Sequence, residues 1–145
     1  MKILVITKVL LETPLVIWMD ASVRFLSSDL SPEIALAKNN GGLVFFSTVT
    51  GHSSYAVTDP GMYQYFPTDL RQQKRPIHVQ TTAFMVVNNQ EVVRHVLWWW
   101  ILCALDKWCI APNENDDCST MVKDTFNDYI GCHRCDQSAA NVLVS

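Results

Sequence analysis

All five cysteines of this 145-residue chain lie between Cys103 and Cys135, and this clustering constrains the fold more than any other feature of the sequence. Thiols pair only when the backbone brings them within a few ångströms, so this part of the chain has to fold back on itself. Such clusters are typical of secretory-pathway proteins that form disulfides. We expect disulfides among Cys103, Cys109, Cys118 and Cys132, with Cys109–Cys118 as the first pairing across the polar loop. Buried free thiols are the alternative.

A zinc site is a further alternative for the same segment. Cys118, Cys132, His133 and Cys135 are all residue types that bind zinc. Their spacing is poor, because the first arm has no C-x-x-C knuckle and Cys132 and His133 are adjacent. Two adjacent residues rarely serve the same tetrahedral ion, so the spacing favours disulfides over zinc.

The composition indicates one folded domain. Hydrophobic residues make up 49% of the chain and charged residues 17%. The net charge of −3 comes from 11 basic and 14 acidic residues that are well mixed, and the absence of a basic stripe argues against nucleic acid as a partner. The apolar start is interrupted by Lys8 and Glu12, which does not suit a signal peptide. The apolar run at 96–105 is too short to cross a membrane and is predicted to form a core helix.

The order of predicted elements indicates an α/β fold. A short buried strand ends at Asp20, and Ser31 followed by Pro32 is a good helix start. Further along, two apolar stretches, "LVFFSTVT" and "HVQTTAFMVVNN", are each predicted to form a strand, and helices are predicted at 91–107 and from Cys135 onward. This succession of strands and helices is typical of an α/β or mixed sheet.

Asp20 is the first candidate for a functional residue. It follows the buried strand "LVIWM", and open α/β sheets bind ligands at the carboxyl ends of their strands. A carboxylate beside Trp18 and Met19 needs a hydrogen-bond donor or a cation as a partner. The alternative is that Asp20 caps the turn that follows it, where Asp and Ser are common.

Three stretches taken in order, "WMDAS", "TTAFMVVNN" and "DQSAAN", resemble parts of a GT-A glycosyltransferase. The chain is also similar, over most of its length, to a group of nematode proteins that share the same pattern. The resemblance implies a partial GT-A-like mixed sheet flanked by helices. It also implies that residues 2–13 form a helix leading into the Asp20 strand.

The resemblance assigns the donor-binding residues. In the glycogenin-like and bacterial galactosyltransferase group, an Asp-x-Asp motif holds Mn²⁺ or Mg²⁺ against the diphosphate of a nucleotide sugar. Asp20 occupies the first of these positions and Ser22 replaces the second. The strand that flanks the donor sugar would run from Thr81 through Ala83 to Asn88. The resemblance thus implies Asp20 as the metal ligand, with Ser22 and Asn88 as further donor-binding residues.

The resemblance assigns a second set of residues at the last helix. Asp136, Gln137 and Asn141 reproduce the D-Q-x-x-x-N spacing of a motif that lies near the reacting sugar in that group. Asp136 and Gln137 are therefore expected to be catalytic, Asn141 to bind the donor, and His133 to be a weaker addition. Relatives carry an aromatic residue where Cys135 stands, so Cys135 is expected to be the spare thiol.

These matches give two hypotheses for the function. The first is a metal-dependent glycosyltransferase-like domain of the secretory pathway, with a nucleotide sugar and a glycan acceptor as partners. A GT-A domain has a nucleotide-binding βαβ half before its Asp-x-Asp strand, so residues 1–145 are expected to be an incomplete, inactive domain. The second is a non-catalytic carbohydrate-binding or interaction module on the same scaffold.

Overall fold

The computed structural model describes residues 2–119 and 124–145 and confirms an α/β fold. Its long helix is continuous from Gln90 to Leu105, because a π-helical turn at Val93–Leu97 joins the first turn, Gln90–Val92, to Trp98–Leu105. Three short 3₁₀ turns lie in the long segment between the third and fourth strands. The elements are α1 (Lys2–Leu10), β1 (Leu15–Met19), α2 (Ser31–Asn39), β2 (Leu43–Phe45), β3 (Val49–Ser53), β4 (Ile77–Val79), β5 (Ala83–Val87), α3 (Gln90–Val92), α4 (Trp98–Leu105), α5 (Lys107–Ile110) and α6 (Cys135–Val144).

The strands form two antiparallel sheets. The larger sheet has the order β1–β5–β2, and Leu15 pairs with Val87 while Met19 pairs with Ala83. The smaller sheet pairs β3 with β4. The crossover through α2 does leave β1 and β2 parallel to one another, but β5 lies between them and runs opposite to both. The expected mixed sheet is therefore corrected: each strand pair in the described residues is antiparallel.

Two predicted strands are each divided between the two sheets. "LVFFSTVT" forms β2 and β3, and "HVQTTAFMVVNN" forms β4 and β5. At the division, the Ser47 hydroxyl accepts from the amide of Ala83 (2.9 Å) and donates to its carbonyl (3.1 Å). The Ser47 side chain thus takes the place of a backbone acceptor for the amide of Ala83 at the point where the chain leaves one sheet for the other.

Helix α1 is part of the core, which confirms the helix expected within residues 2–13. Ile3, Ile6 and Leu10 recur at helical spacing and are buried against Phe84 of β5 and Trp100 of α4. Each buried aliphatic side chain of this size contributes about 1.5–3 kcal/mol. The packing of α1 therefore fixes its first residue, Lys2, close to the carboxyl end of β1.

The helix ends follow capping rules, with three departures from the predicted ends. The Asn89 side chain accepts from the amide of Val92 (2.8 Å), which starts the long helix one residue before the predicted start. The helix stops at Leu105, short of the predicted end, because Asp106 takes extended backbone angles and caps α5 instead. Ser31 was predicted to cap α2, but it is the first helical residue, and its amide donates to the carboxylate of Asp29 (3.0 Å).

The expected disulfides form, but not with the expected partners. Cys103 pairs with Cys109, and Cys118 pairs with Cys132. The Cys109–Cys118 pairing was wrong because the turn capped by Asp106 directs Cys109 back to the end of α4. Cys135 is the free thiol, as expected. Two disulfides are typical of proteins that fold in an oxidising compartment.

Within residues 2–119 and 124–145, no helix combines the length and the apolar character that a membrane crossing requires.

Candidate functional site

Asp20 lies at the carboxyl end of β1, where the larger sheet ends. Its amide donates to the carbonyl of Thr82 (2.8 Å), which holds the residue beside β5. One carboxylate oxygen accepts from the indole N–H of Trp18 (3.2 Å). The turn after β1 is closed by the Asp20 carbonyl, which accepts from the amide of Val23 (2.9 Å). In the described residues the carboxylate caps no backbone amide of that turn, so the second carboxylate oxygen remains available.

Lys2 joins this strand end to the last helix. Its ammonium group donates to the carbonyl (3.0 Å) and the hydroxyl (3.1 Å) of Thr81 and forms an ion pair with Asp136 (3.0 Å). The same nitrogen lies 5.9 Å from the centre of the Trp18 ring. Since Trp18 in turn donates to Asp20, a chain of contacts leads from one carboxylate to the other. We call Lys2, Trp18, Asp20, Thr81 and Asp136 the Lys2 cluster.

Sequence reasoning missed Lys2, although one signal pointed to it. A cation in the first turn of a helix faces the positive end of the helix dipole, and α1 has no acidic residue in that turn. A lysine in that position needs an acceptor from elsewhere in the fold. Thr81 and Asp136 supply the acceptors, and the side chain of Lys2 is only 16% exposed.

Asp136 lies in the first turn of α6, where the helix dipole favours a carboxylate. Its side chain is 30% exposed, so it is open to solvent while it holds Lys2. The adjacent Gln137 is half-buried, and its side chain makes no hydrogen bond within the described residues. An acidic and an amide side chain at the start of α6 provide acceptors and donors for hydroxyl groups of a ligand.

Asn141 is buried and its amide group is fully used by the fold. Its oxygen accepts from the amide of Val79 (2.8 Å), and its nitrogen donates to the carbonyls of Val79 (2.8 Å) and Gln137 (2.9 Å). It thereby fastens α6 to β4. The hydrogen bonds assign Asn141 a structural position one helical turn behind the exposed start of α6.

Asn88 and Ser22 lie apart from the Lys2 cluster. Asn88 follows β5 at the end of the sheet opposite Asp20, since Leu15 pairs with Val87, and its side chain donates to the carbonyl of Leu10 (2.7 Å). Ser22 is exposed in the turn just after Asp20. The structure thus brings Asp20 and Asp136 to one cluster, and places Asn88 at a distance from both.

His133 serves the fold rather than the exposed site. Its Nδ1 accepts from the amide of Asp59 (3.1 Å), so its Nε2 carries the proton and donates to the carbonyl of Ile110 (3.0 Å). Burial lowers the pKa of the imidazole, which favours the neutral form. Both ring nitrogens are occupied, and the disulfide between Cys118 and Cys132 removes two of the four ligands of the zinc alternative.

The described residues suit a divalent cation only when a bound diphosphate supplies part of its coordination shell. In the described part of the chain, no three His, Cys, Asp or Glu side chains are grouped to hold a metal ion. The chain offers the free carboxylate oxygen of Asp20 and the exposed hydroxyl of Ser22. Mg²⁺ commonly takes one or two carboxylates and completes its shell with phosphate oxygens and water. The residues therefore suit a cation that arrives with a diphosphate and do not suit a cation held by protein alone.

No protein-family model, curated protein or solved structure matches the chain. The glycosyltransferase resemblance therefore rests on the sequence motifs, and it stays a prediction.

Proposed function

We propose that this chain is a glycosyltransferase-like domain whose Lys2 cluster binds the diphosphate-sugar end of a nucleotide sugar. The observation that carries the proposal is the meeting of two distant motifs. Asp20, at the end of β1, and Asp136, at the start of α6, are linked through Trp18 and Lys2. The resemblance assigns these same two carboxylates to the two halves of the donor.

The diphosphate half would lie beside Asp20 and Ser22. Mn²⁺ or Mg²⁺, when bound there, would neutralise charge on the diphosphate and so stabilise it as a leaving group. Asp20 would hold the cation through the carboxylate oxygen that Trp18 leaves free. The hydrogen bond from the Trp18 indole to the other oxygen restrains the rotamer of Asp20.

The sugar half would lie at the start of α6. Asp136 accepts hydrogen bonds and Gln137 both donates and accepts, which suits the alternating hydroxyls of a sugar ring. Lys2 holds Asp136 in a fixed orientation, because its ammonium group is itself fixed by Thr81. The chain's own residues thus bind and orient the donor.

The compartment and partners follow from this proposal. Two disulfides suit the Golgi lumen or the extracellular space, where glycan acceptors are found. The acceptor would be a glycan that approaches the exposed edge beside Asp136. The expectation that residues 1–145 do not turn over a donor by themselves stays a prediction.

A second candidate is a carbohydrate-binding module that works without a cation. Ser22 favours it, because a hydroxyl adds no charge where the resemblance demands a second carboxylate. In that case Asp136 and Gln137 would bind sugar hydroxyls, and Asp20 would take no part in binding.

The response of the chain to UDP separates the two candidates. We would follow it by NMR titration of the ¹⁵N-labelled chain, because this method detects weak binding. With Mg²⁺ present, we expect UDP to shift the amide signals near Asp20, and Asp20→Asn to weaken binding at least about tenfold through the loss of a charged ligand. Glu12→Gln removes an exposed carboxylate elsewhere and should leave the affinity unchanged. Binding of galactose or glucose without any UDP response would support the module. No response to either ligand would overturn both candidates.

A further inference from the structure

The larger sheet has a second apolar face, on the side away from α1. Because side chains alternate along a strand, Trp18 and Phe84 pack into the core from one face. Their neighbours along the strands, Ile17 and Met85, project from the other face. Helix α2 packs against β5 and β2, and its Glu33 lines the same cavity as Ile17 and Met85, so α2 lies on this second face. The area over β1 is left as a cavity between the sheet, α2 and the turn that follows β1.

This cavity has the size and the walls of a small-molecule site. Its volume is about 340 Å³, and ligand cavities commonly span about 300–1,000 Å³. Ile17, Met19 and Met85 form an apolar floor. Two of these side chains are methionines, whose flexible thioethers adapt to ligands of different shape. The cavity therefore suits an apolar molecule or the apolar part of a larger one.

The rim of the cavity exposes apolar side chains to solvent. Phe25, Leu26 and Phe46 line it, and they are 54%, 97% and 41% exposed. Isolated exposed apolar residues are common on soluble proteins, whereas several around one opening are typical of a binding site. A molecule seated in the cavity would remove part of this apolar surface from water, which favours binding.

Glu33 supplies the cavity with an unpaired acceptor. One of its carboxylate oxygens is shut off from solvent and has no hydrogen-bond partner among the described residues. Buried polar atoms are nearly always paired in folded proteins. Arg24 also lines the cavity, but its side chain is exposed and forms no ion pair with Glu33 within residues 2–119 and 124–145. A donor on a bound molecule would therefore complete the hydrogen bonding of Glu33.

We propose that the cavity binds a primary amine with an apolar body, such as an alkyl amine. The hydrocarbon part lies on Ile17 and Met85, and the ammonium group donates to the Glu33 carboxylate. An ammonium group offers three donors and a positive charge, so it complements Glu33 better than a hydroxyl does. A carboxylic acid would bring a second negative charge to Glu33 and is disfavoured. The inference does not depend on the proposed function, since the residues of the cavity are distinct from the Lys2 cluster.

Three probes with the same alkyl chain test this proposal by NMR titration of the ¹⁵N-labelled chain at neutral pH. Octylamine is protonated at this pH, octanol is neutral and octanoate is negatively charged. We expect octylamine to shift the amide signals of Met19, Ala83 and Met85 and to bind at least about fivefold more tightly than octanol. Octanoate should bind most weakly. This order is measured on the unmodified chain, so it does not depend on whether a variant folds.

Three variants test the roles of the residues. Glu33→Gln keeps the shape of the side chain and should bring the affinity for octylamine to within about twofold of that for octanol. Phe25→Ala removes part of the exposed rim and should weaken the binding of both ligands alike. Glu12→Gln removes an exposed carboxylate elsewhere and should change neither affinity. Octanoate binding as tight as that of octylamine, an unchanged preference for the amine in Glu33→Gln, shifts confined to another surface, or no shift with any probe would overturn the proposal.

Discussion

At the scale of single residues, Lys2 connects the two motifs on which the proposed function depends. Each of its three N–H groups has an acceptor, two on Thr81 and one on Asp136. An ammonium group with three acceptors keeps one position, so both the strand end and the helix start are held relative to it. A residue that looks like an ordinary surface lysine in the sequence therefore positions the candidate site.

The surroundings of His78 lead to a prediction at this scale, which concerns the dependence of stability on pH. The side chain is fully buried, its Nδ1 lies 3.3 Å from the hydroxyl of Ser54, and its Nε2 has no partner in the described residues. Burial, reinforced by His52 and Arg134, lowers the pKa of His78 from 6.5 to about 3. Between pH 6.5 and about 3, His78 is therefore protonated in the unfolded chain and neutral in the folded chain.

The sign of the effect follows from this difference. The stability contributed by neutral His78 is complete above pH 6.5 and is lost as the pH falls toward 3, at up to about 1.4 kcal/mol per pH unit. Between pH 7 and 4.5, urea unfolding should show a loss that is about 2–3 kcal/mol smaller in His78→Gln than in the unmodified chain. His95→Gln replaces an exposed histidine and should lose as much as the unmodified chain. Equal losses in all three proteins would contradict the burial argument.

At the scale of elements, α6 is attached to the smaller sheet through one side chain. Asn141 supplies both a donor and an acceptor to Val79, and the Ser138 hydroxyl donates to the carbonyl of Val57 (3.1 Å). These contacts hold the helix by its buried face. Its first turn, with Asp136 and Gln137, is thereby presented at the surface.

This attachment predicts a contrast between two positions one turn apart. Asn141→Ala leaves the amide and the carbonyl of Val79 without their partner, and should lower the free energy of unfolding by about 2–5 kcal/mol. Gln137→Ala removes a side chain that bonds nothing in the described residues and should change it by less than about 0.5 kcal/mol. Denaturant titration of both variants gives the comparison. A loss for Gln137→Ala as large as that for Asn141→Ala would contradict the assigned roles.

The elements also show where the sequence was informative. Local sequence predicted the helix from Cys135 onward, whereas the helix within residues 2–13 was implied by the resemblance. Local sequence could not predict that Ser47 would replace a backbone partner and divide a strand between two sheets, because that contact is with Ala83, far along the chain. Local patterns report local structure, and sheet pairing is not local.

At the scale of the whole molecule, the α2 crossover leaves β1 and β2 parallel, α1 and α6 each pack against α4, and Trp100 of α4 lies against Phe84 of β5. The candidate site arises where α1, β1 and α6 meet. The strand pattern made Asp20 a candidate and the resemblance made Asp136 one, and both lie in the Lys2 cluster. They did not predict Lys2, and they grouped Asn88 with Asp20 although the antiparallel register separates the two residues.

The most direct measurement compares UDP-glucose and UDP-galactose with UDP by NMR titration, with Mg²⁺, on the unmodified chain and on Asp136→Asn. If Asp136 faces the sugar and Asp20 the diphosphate, Asp136→Asn should weaken binding of at least one of the two nucleotide sugars about tenfold or more and leave binding of UDP unchanged. Equal weakening for all three ligands, or none for any, would contradict the two-sided site on which this account depends.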